Sequence, residues 1–419
     1  MTAVEETDSI DTDLDHHSDD FREYNYARMA ELRERCPVAK SSSWGGFWFF
    51  TSYDAVFDAC RDHDLFSSHM SKAVPRGANE TPFIPIDIDP PRLQKYRKLL
   101  LPAMSPTAAE SQRAELTAIT NSLIDAFIVS GAADLAEELF TPLPARWILR
   151  LLGFDEDRWP EWISWLHTLV HDRATDMDKT IEAAGHLYGT IAREVEVRRG
   201  ARPPGLLSDL MDAEIDGVPL NDEELGGIVV LLLLGGMDTT AGLTGNALLR
   251  IDADPALRRR LIDDPSVLDA ATEEFLRHDT PAQGLTRLVT RDAAFHGRQL
   301  RKGDRVMLMF AAANRDPAVF ERPDEIVLDR PSNRHMAFAL GVHRCLGSNF
   351  ARLMFKTMLS ETLRRMPDVQ VSGAVERLPD AGDVYAVKHL PVRFTPGSVE
   401  NPVVPAYSSP DSSAAKGRK

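Results

Sequence analysis

The chain has 419 residues, 43% of them hydrophobic, and 48 Lys and Arg against 64 Asp and Glu give a net charge of −16. That apolar share suffices for a large core, and the acidic balance argues against nucleic acid as a partner. Three widely spaced cysteines, Cys36, Cys60 and Cys345, exclude a disulfide framework and suit a reducing cytoplasm. The first 20 residues hold eight acids and no Lys or Arg, which predicts a disordered acidic tail over 1–20. The Ser/Pro-rich stretch 396–419 predicts a second one. No basic segment followed by an apolar one opens the chain, so neither a signal peptide nor an anchor is expected. The longest apolar run, Ile228 to Leu234, is too short to cross a bilayer. The expectation is a soluble cytoplasmic protein with no membrane contact.

Between the tails, apolar residues recur at three- and four-residue intervals over Asp20–Arg35, Ala108–Ser130, Pro144–Leu152, Thr180–Arg199, Asn221–Arg250, Pro255–Ile262, Ser266–His278 and Leu346–Arg365. Each of these predicts a helix. Short β-branched and aromatic runs predict strands at Phe47–Thr51, Arg287–Thr290, Arg305–Phe310 and Val392–Phe394. No repeat and no long internal linker divides the chain. Residues 21–395 therefore read as one large, mainly helical domain with small sheets.

The longest helical pattern opens with a capping box, Asn221 as cap and Glu224 three residues on, and is almost wholly apolar from Ile228 to Leu234. At that depth stands Gly235-Gly236-Met237-Asp238-Thr239-Thr240. Two glycines cost a helix interior roughly 1 kcal/mol each relative to alanine, and a buried Asp needs a partner. The Thr239 hydroxyl can bond back to the Gly235 carbonyl. Such violations inside a strong helix mark a functional site: glycines leave room for a flat cofactor and a small ligand, and Asp238 and Thr239 can pass protons and hold water. A helix crossing that needs small residues would read the same way.

Further on, Glu274 and Arg277 share a helix face at i, i+3, in itself an ordinary salt bridge. The segment Phe338 to Gly347 then sets Cys345 at a glycine-flanked turn running into a helix. Free N–H groups and the helix dipole there favour a thiolate. Phe338 and Leu346 bracket the sulfur with apolar surface, and His343 and Arg344 add positive charge. One soft ligand with a dry flank suits a haem iron better than zinc, for which no second Cys pair lies nearby. A buried structural cysteine is the competing reading.

The spacing Phe-x-x-Gly-x-His-x-Cys-x-Gly, with Ala351-Arg352 after it, resembles the haem-ligand loop of the cytochrome P-450 family, and the resemblance extends over about residues 20–395. It implies a single large triangular, mainly α fold with small β-sheets, holding haem b through the Cys345 thiolate. The pattern Gly-Gly-x-Asp-Thr-Thr is similar to the family's oxygen-activating groove. That similarity places Gly235 and Gly236 against the cofactor, assigns Thr239 to stabilising bound dioxygen and assigns Asp238 to proton delivery. By resemblance Glu274, Arg277 and Arg330 form a structural triad behind the cysteine loop, Arg97, Arg287 and His343 hold the haem propionates, and Phe338 lies beside the cofactor. Leu93 stands where the family commonly has a histidine, so one propionate donor is missing; Ala339 and Met354 are milder departures. Met237, Pro281, Leu285 and Val289 are expected in the substrate pocket. Leu65 to Pro85, with Met70, Val74, Phe83 and Ile84, is a candidate lid, and Arg76 could meet a carboxylate.

What the resemblance implies for function is a monooxygenase that hydroxylates or otherwise oxidises a small hydrophobic compound with O2 and two electrons. No Gly-x-Gly-x-x-Gly motif follows a strand, so the electrons would come from NAD(P)H through a separate ferredoxin and its reductase. Lys95, Lys98, Arg344 and Arg352 are candidates to dock that partner, and a monomer is expected. Two alternatives stand beside this reading: a haem-thiolate enzyme driven by peroxide or catalysing desaturation or ring coupling, and a non-catalytic haem sensor.

Overall fold

A computed structural model describes residues 10–69, 73–75, 81–380, 382–402 and 404. Fourteen α-helices run through them. In chain order they are α1 Asp19–Arg35, α2 Tyr53–Arg61, α3 Arg92–Leu100, α4 Pro106–Ser111, α5 Arg113–Asp125, α6 Pro142–Leu152 and α7 Trp159–His171. There follow α8 Met177–Gly200, α9 Leu206–Met211, α10 Asp222–Ala253, α11 Pro255–Asp263, α12 Leu268–His278, α13 Phe310–Ala313 and α14 Ser348–Arg365. All eight helices expected from periodicity are present. The one expected over Ala108–Ser130 is broken at Gln112, a buried residue at φ −92° and ψ −1°, and ends at Asp125. Helices α2, α3, α7, α9 and α13 were not expected. Helix α2 is short and opens on the Ser52 cap; α7 carries Pro160 in its first turn, where a proline is accepted.

The main sheet has β1 (Val38–Ser41), β2 (Phe47–Phe50), β3 (Phe66–Ser67), β4 (Leu285–Val289) and β5 (Arg305–Leu308), in the order β1-β2-β5-β4-β3. Strand β5 runs parallel to β2 with Val306 opposite Trp48; the other pairs are antiparallel, including Val306 opposite Arg287. A smaller sheet joins Ala132–Asp134, Pro391–Arg393 and Gln370–Val371. The architecture is mainly helical with small sheets, as expected.

Helix α10 organises the body. Its capping box forms as read, with Asn221 Oδ1 accepting from the Glu224 N–H at 2.9 Å and Glu224 Oε2 accepting from the Asn221 N–H at 3.0 Å. Among the described residues it is the one helix long and apolar enough to span a bilayer, yet most of its apolar stretch is buried against α6, α8 and α14.

The described parts of the two tails, residues 10–20 and 396–402, differ from expectation. Residues 10–20 are packed on the sheet: the Asp11 and Thr12 N–H groups donate to the Lys40 carbonyl, and Thr12 bridges Ser41. His16 is fully buried against the edges of Phe47 and Phe49. The acids that suggested disorder have partners, Asp11 with Arg298 and Asp15 with the Trp44 indole N–H. At the other end, Glu400 pairs with Arg364, and Asp125 accepts from the Glu400 and Asn401 N–H groups.

Candidate active site

The middle of α10 keeps helical geometry through its two glycines. Thr239 Oγ1 donates to the Gly235 carbonyl at 3.1 Å, the back-bond expected. The glycines face different ways. A Cβ on Gly235 would meet nothing within 4 Å, although it sits mid-helix in the interior of the chain's longest helix, so an opening lies against it. A Cβ on Gly236 would come 3.3 Å from Ile148 Cγ1 on α6. Gly236 is therefore a helix-crossing glycine and not part of the opening, which corrects its expected place against the cofactor. Met237 is also corrected: it is 1% exposed and belongs to the helical core.

Asp238 points at α7. Its Oδ1 accepts from His167 Nε2 at 2.9 Å, and its Oδ2 lies 3.5 Å from His171 Nε2. Burial alone would raise its pKa, but the charge and hydrogen bond of His167 lead the interactions that outweigh it and hold the carboxyl well below the usual range. Burial would lower His167, yet the Asp238 charge wins and its pKa is raised. Sequence reading missed both histidines. Their spacing, i and i+4 on an apolar helix, puts them on one face and was the available signal.

The cysteine loop is fixed from several sides. The Cys345 N–H donates to the Phe338 carbonyl at 2.9 Å, and Gly341–His343 forms one 3-10 turn. Gly341 has φ +66°, and a Cβ there would lie 2.6 Å from the Cys60 carbonyl oxygen, so the turn rests on the end of α2. Ala339 takes φ +51°, which explains why a glycine would suit it. Cys345 is exposed, yet dense surrounding protein pushes its thiol pKa up by burial. The Gly347 N–H, Arg97, Arg344 and Arg352 pull the other way and do not win, so the free thiol is not the preformed thiolate expected from the helix start. Ligation to a cation deprotonates such a thiol. Leu346, next to Cys345, packs on the same core as Leu234 and Ala241 of α10.

Three expected cation positions gather beside this loop. Arg97 Nη2 donates to the Arg344 carbonyl at 2.8 Å. Arg287, 4% exposed, donates to its neighbour Thr286 at 2.7 Å, and no described carboxylate pairs with it. Burial, with the positive charges of Arg287, Arg97 and His63, pushes His343 down to about 3, and its buried Nε2 has no partner. Donors crowded together with no carboxylate in ion-pair contact among the described residues fit a dianion such as the haem carboxylates. Leu93 is fully buried and offers no donor.

Behind the loop, Glu274 is 1% exposed and chelated. Its Oε2 accepts from Arg277 Nε at 2.9 Å, Arg330 Nε at 3.1 Å and Asn333 Nδ2 at 3.1 Å. Its Oε1 accepts from Arg277 Nη2 at 2.8 Å, the Val327 N–H at 2.8 Å and Arg330 Nη2 at 3.1 Å. Asn333 leads into the loop, where the Met336 N–H donates to Asn314 Oδ1 at 2.6 Å and Arg352 stacks on Phe338 at 4.5 Å.

The remaining expectations divide. Val289 is 1% exposed inside the sheet core and does not line an opening; Leu285 is half-buried. Pro281 is buried, its carbonyl accepting from the Tyr385 N–H at 2.8 Å. Val74, Phe83 and Ile84 are buried, while Met70 and Arg76 lie outside the described residues. Of the docking cations, Lys95 is paired with Asp216 and Arg352 with Glu273.

Comparison with known proteins agrees with this geometry. The profile of the cytochrome P450 family matches residues 152–376. The steroid C26-monooxygenase of Mycobacterium tuberculosis (strain H37Rv) is 32% identical over 399 residues, 92% of this chain and 98% of that one. Linalool 8-monooxygenase of Pseudomonas putida is 29% identical, over 79% of this chain and 86% of that one. The crystal structure of CYP109E1 from Bacillus megaterium in complex with testosterone superposes with a TM-score of 0.84 at 29% identity, covering 90% of this chain and all of the other. The chain belongs to the cytochrome P450 family and is a haem-thiolate monooxygenase.

Proposed function

We propose that residues 21–395 form one monooxygenase domain that binds haem b through Cys345 and oxidises a small, hydrophobic, steroid- or terpenoid-like compound. When bound, the haem supplies oxygen activation and electron storage; the chain supplies the ligand, the dry flank and the protons. Arg97, Arg287 and His343 would meet its carboxylates, and Phe338 would flank it. Gly235 leaves the space beside α10, Thr239 presents a hydroxyl at its edge, and Asp238 supplies protons. Glu274, Arg277 and Arg330 keep the loop in register and touch no reacting atom. The hydrophobic substrate class rests on the steroid and linalool named for the relatives and on testosterone in the structural neighbour. Electrons would come from NAD(P)H through a ferredoxin and its reductase, in the cytoplasm, with Lys98 and Arg344 as the docking cations still unpaired in the described surface.

The observation that carries this reading is the open thiol of Cys345 beside donors that form no ion pair with a described carboxylate. Its test is the carbon monoxide difference spectrum of the reduced protein. The red-shifted thiolate band is expected in the wild type and lost in Cys345→Ser; the same band in both would refute the ligand. Titration with steroids and monoterpenoid alcohols should then shift the ferric spin state, and a response only to polar compounds would overturn the substrate class.

A further inference from the structure

Asp238 is buried in the middle of α10, and its described side-chain partners are two imidazoles of α7 that differ in their access to water. The His167 side chain is 30% exposed and that of His171 is 2% exposed. Their hydrogen bonds also differ. His167 Nε2 lies 2.9 Å from Asp238 Oδ1 and must donate to an ionised carboxylate, which only accepts.

His171 Nδ1 lies 3.0 Å from the Asp380 backbone carbonyl, also acceptor-only, so Nδ1 carries its proton. A neutral His171 therefore turns a bare Nε2 towards Asp238 Oδ2. Two acceptors then face each other, which accounts for the 3.5 Å gap and the absence of a partner on that nitrogen. The contact becomes a hydrogen bond only when one more proton arrives, on the ring or on the carboxyl. One carboxyl oxygen is thus held for the charged form by His167, and the other faces a group able to receive a hydrogen bond from the neutral form.

We propose that His167 is the residue through which a solvent proton reaches Asp238, with His171 as the buried partner that holds the carboxyl once it is protonated. This rests on the reading of Asp238 as a proton donor towards Thr239. In the step, the Nε2–H bond of the His167 imidazolium breaks, its electron pair stays on the ring, and an O–H bond forms on Asp238. The ring is left neutral with its proton on Nδ1 and a bare Nε2; once a ring flip brings that nitrogen to the water-facing edge, a solvent hydronium protonates it and restores the imidazolium. Both histidines are positioning residues, since they act through Asp238.

The charged and titratable groups facing His167 are Asp238 from α10, Asp172 and His171 from α7, and Lys388 from the strand Val387–His389. Burial and Lys388 act to lower the His167 pKa, but the two acids, Asp238 foremost, outweigh both, so the ring holds its proton to a higher pH than a free imidazole. Supply is complete below that pH and fades as pH rises through it.

Two measurements on the holoenzyme test the proposal. Histidine C2–H exchange against pH, read by mass spectrometry, should place the His167 titration above the ordinary value of about 6.5 and move it down in Asp238→Asn. Identical His167 titrations in the two proteins would overturn the coupling whatever the activity. In His167→Gln, the amide keeps a donor towards Asp238 but carries no transferable proton. Its kcat should fall about tenfold or more, KM should change by less than about twofold, and the loss of rate at high pH should disappear. If Asp238→Asn is slow and His167→Gln matches the wild type, His167 is not the way in and the Asp238 role stands. If Asp238→Asn is itself fast, the Asp238 role fails and this inference with it.

Discussion

Replacing Glu274 with Gln tests the anchoring of the cysteine loop by changing one oxygen to an amide. Glu274 Oε2 serves three donors and Oε1 four, so the amide of Gln would face either the Arg277 Nε, Arg330 Nε and Asn333 set or the Arg277 Nη2, Val327, Arg330 Nη2 and Arg330 Nε set. In either orientation donors confront donors, and two guanidiniums lose their counter-charge at a site where Arg277 is fully buried. Breaking a buried ion pair from one side costs about 3–5 kcal/mol. Part of Arg277 survives, because Nη1 still donates to the Asn314 and Pro323 carbonyls, so the lower half of that range is expected. With an unfolding entropy of about 2.1 cal/mol/K per residue over a chain of this size, such a loss lowers Tm by roughly 3–5 °C. Thermal melting reads that shift, and haem content after gel filtration should fall with it. A variant melting within about 1 °C of the wild type with full haem content would show that the triad does not secure the loop.

Three further outcomes follow from geometry. Gly235→Ala should stabilise the fold by about 0.5–1 kcal/mol through helix propensity, since its methyl meets nothing, whereas Gly236→Val should cost about 1–3 kcal/mol against Ile148; equal shifts in urea titration would refute the assignment of faces. Thr239→Ala should leave iron reduction intact but divert electrons into peroxide, and fully coupled product formation would remove its role. His17 donates from one nitrogen to Asp380, at 2.5 Å, and from the other to the Val74 carbonyl, so it is an imidazolium; burial lowers its pKa, but Asp380 raises it further. Its contribution is complete below the ordinary value of about 6.5 and is lost as pH rises through the elevated one. Amide exchange of residues 10–18, corrected for intrinsic rate, should quicken across that window in the wild type and not in His17→Phe.

Much of the architecture was legible because it is written locally. The capping box of α10, the back-bond of Thr239, the positive-φ turn before Cys345 and the i, i+3 spacing of Glu274 and Arg277 each need only a few residues. What escaped depends on residues distant in sequence. His167 meets Asp238 from 71 positions away, and no periodicity joins them. The two adjacent glycines differ only because α6 brings Ile148 against one of them. Counting charge in residues 1–20 suggested disorder, since Arg298 and Trp44, the partners of those acids, stand far along the chain. The helix start at Cys345 suggested a thiolate because spacing reports N–H groups and dipole but not the density of protein around the sulfur.

The seat of Gly341 on the Cys60 carbonyl has a consequence for thiol chemistry. Cys60 is buried, and its thiol contacts the Leu340 backbone directly behind the ligand turn. An alkylating or mercurial reagent that reached it would need room for several atoms where a single methyl on Gly341 already clashes. Inactivation by such a reagent would therefore arise from displacement of the turn as readily as from capping of Cys345. Labelling in a Cys60→Ala background separates the two, and protection by bound haem alone does not.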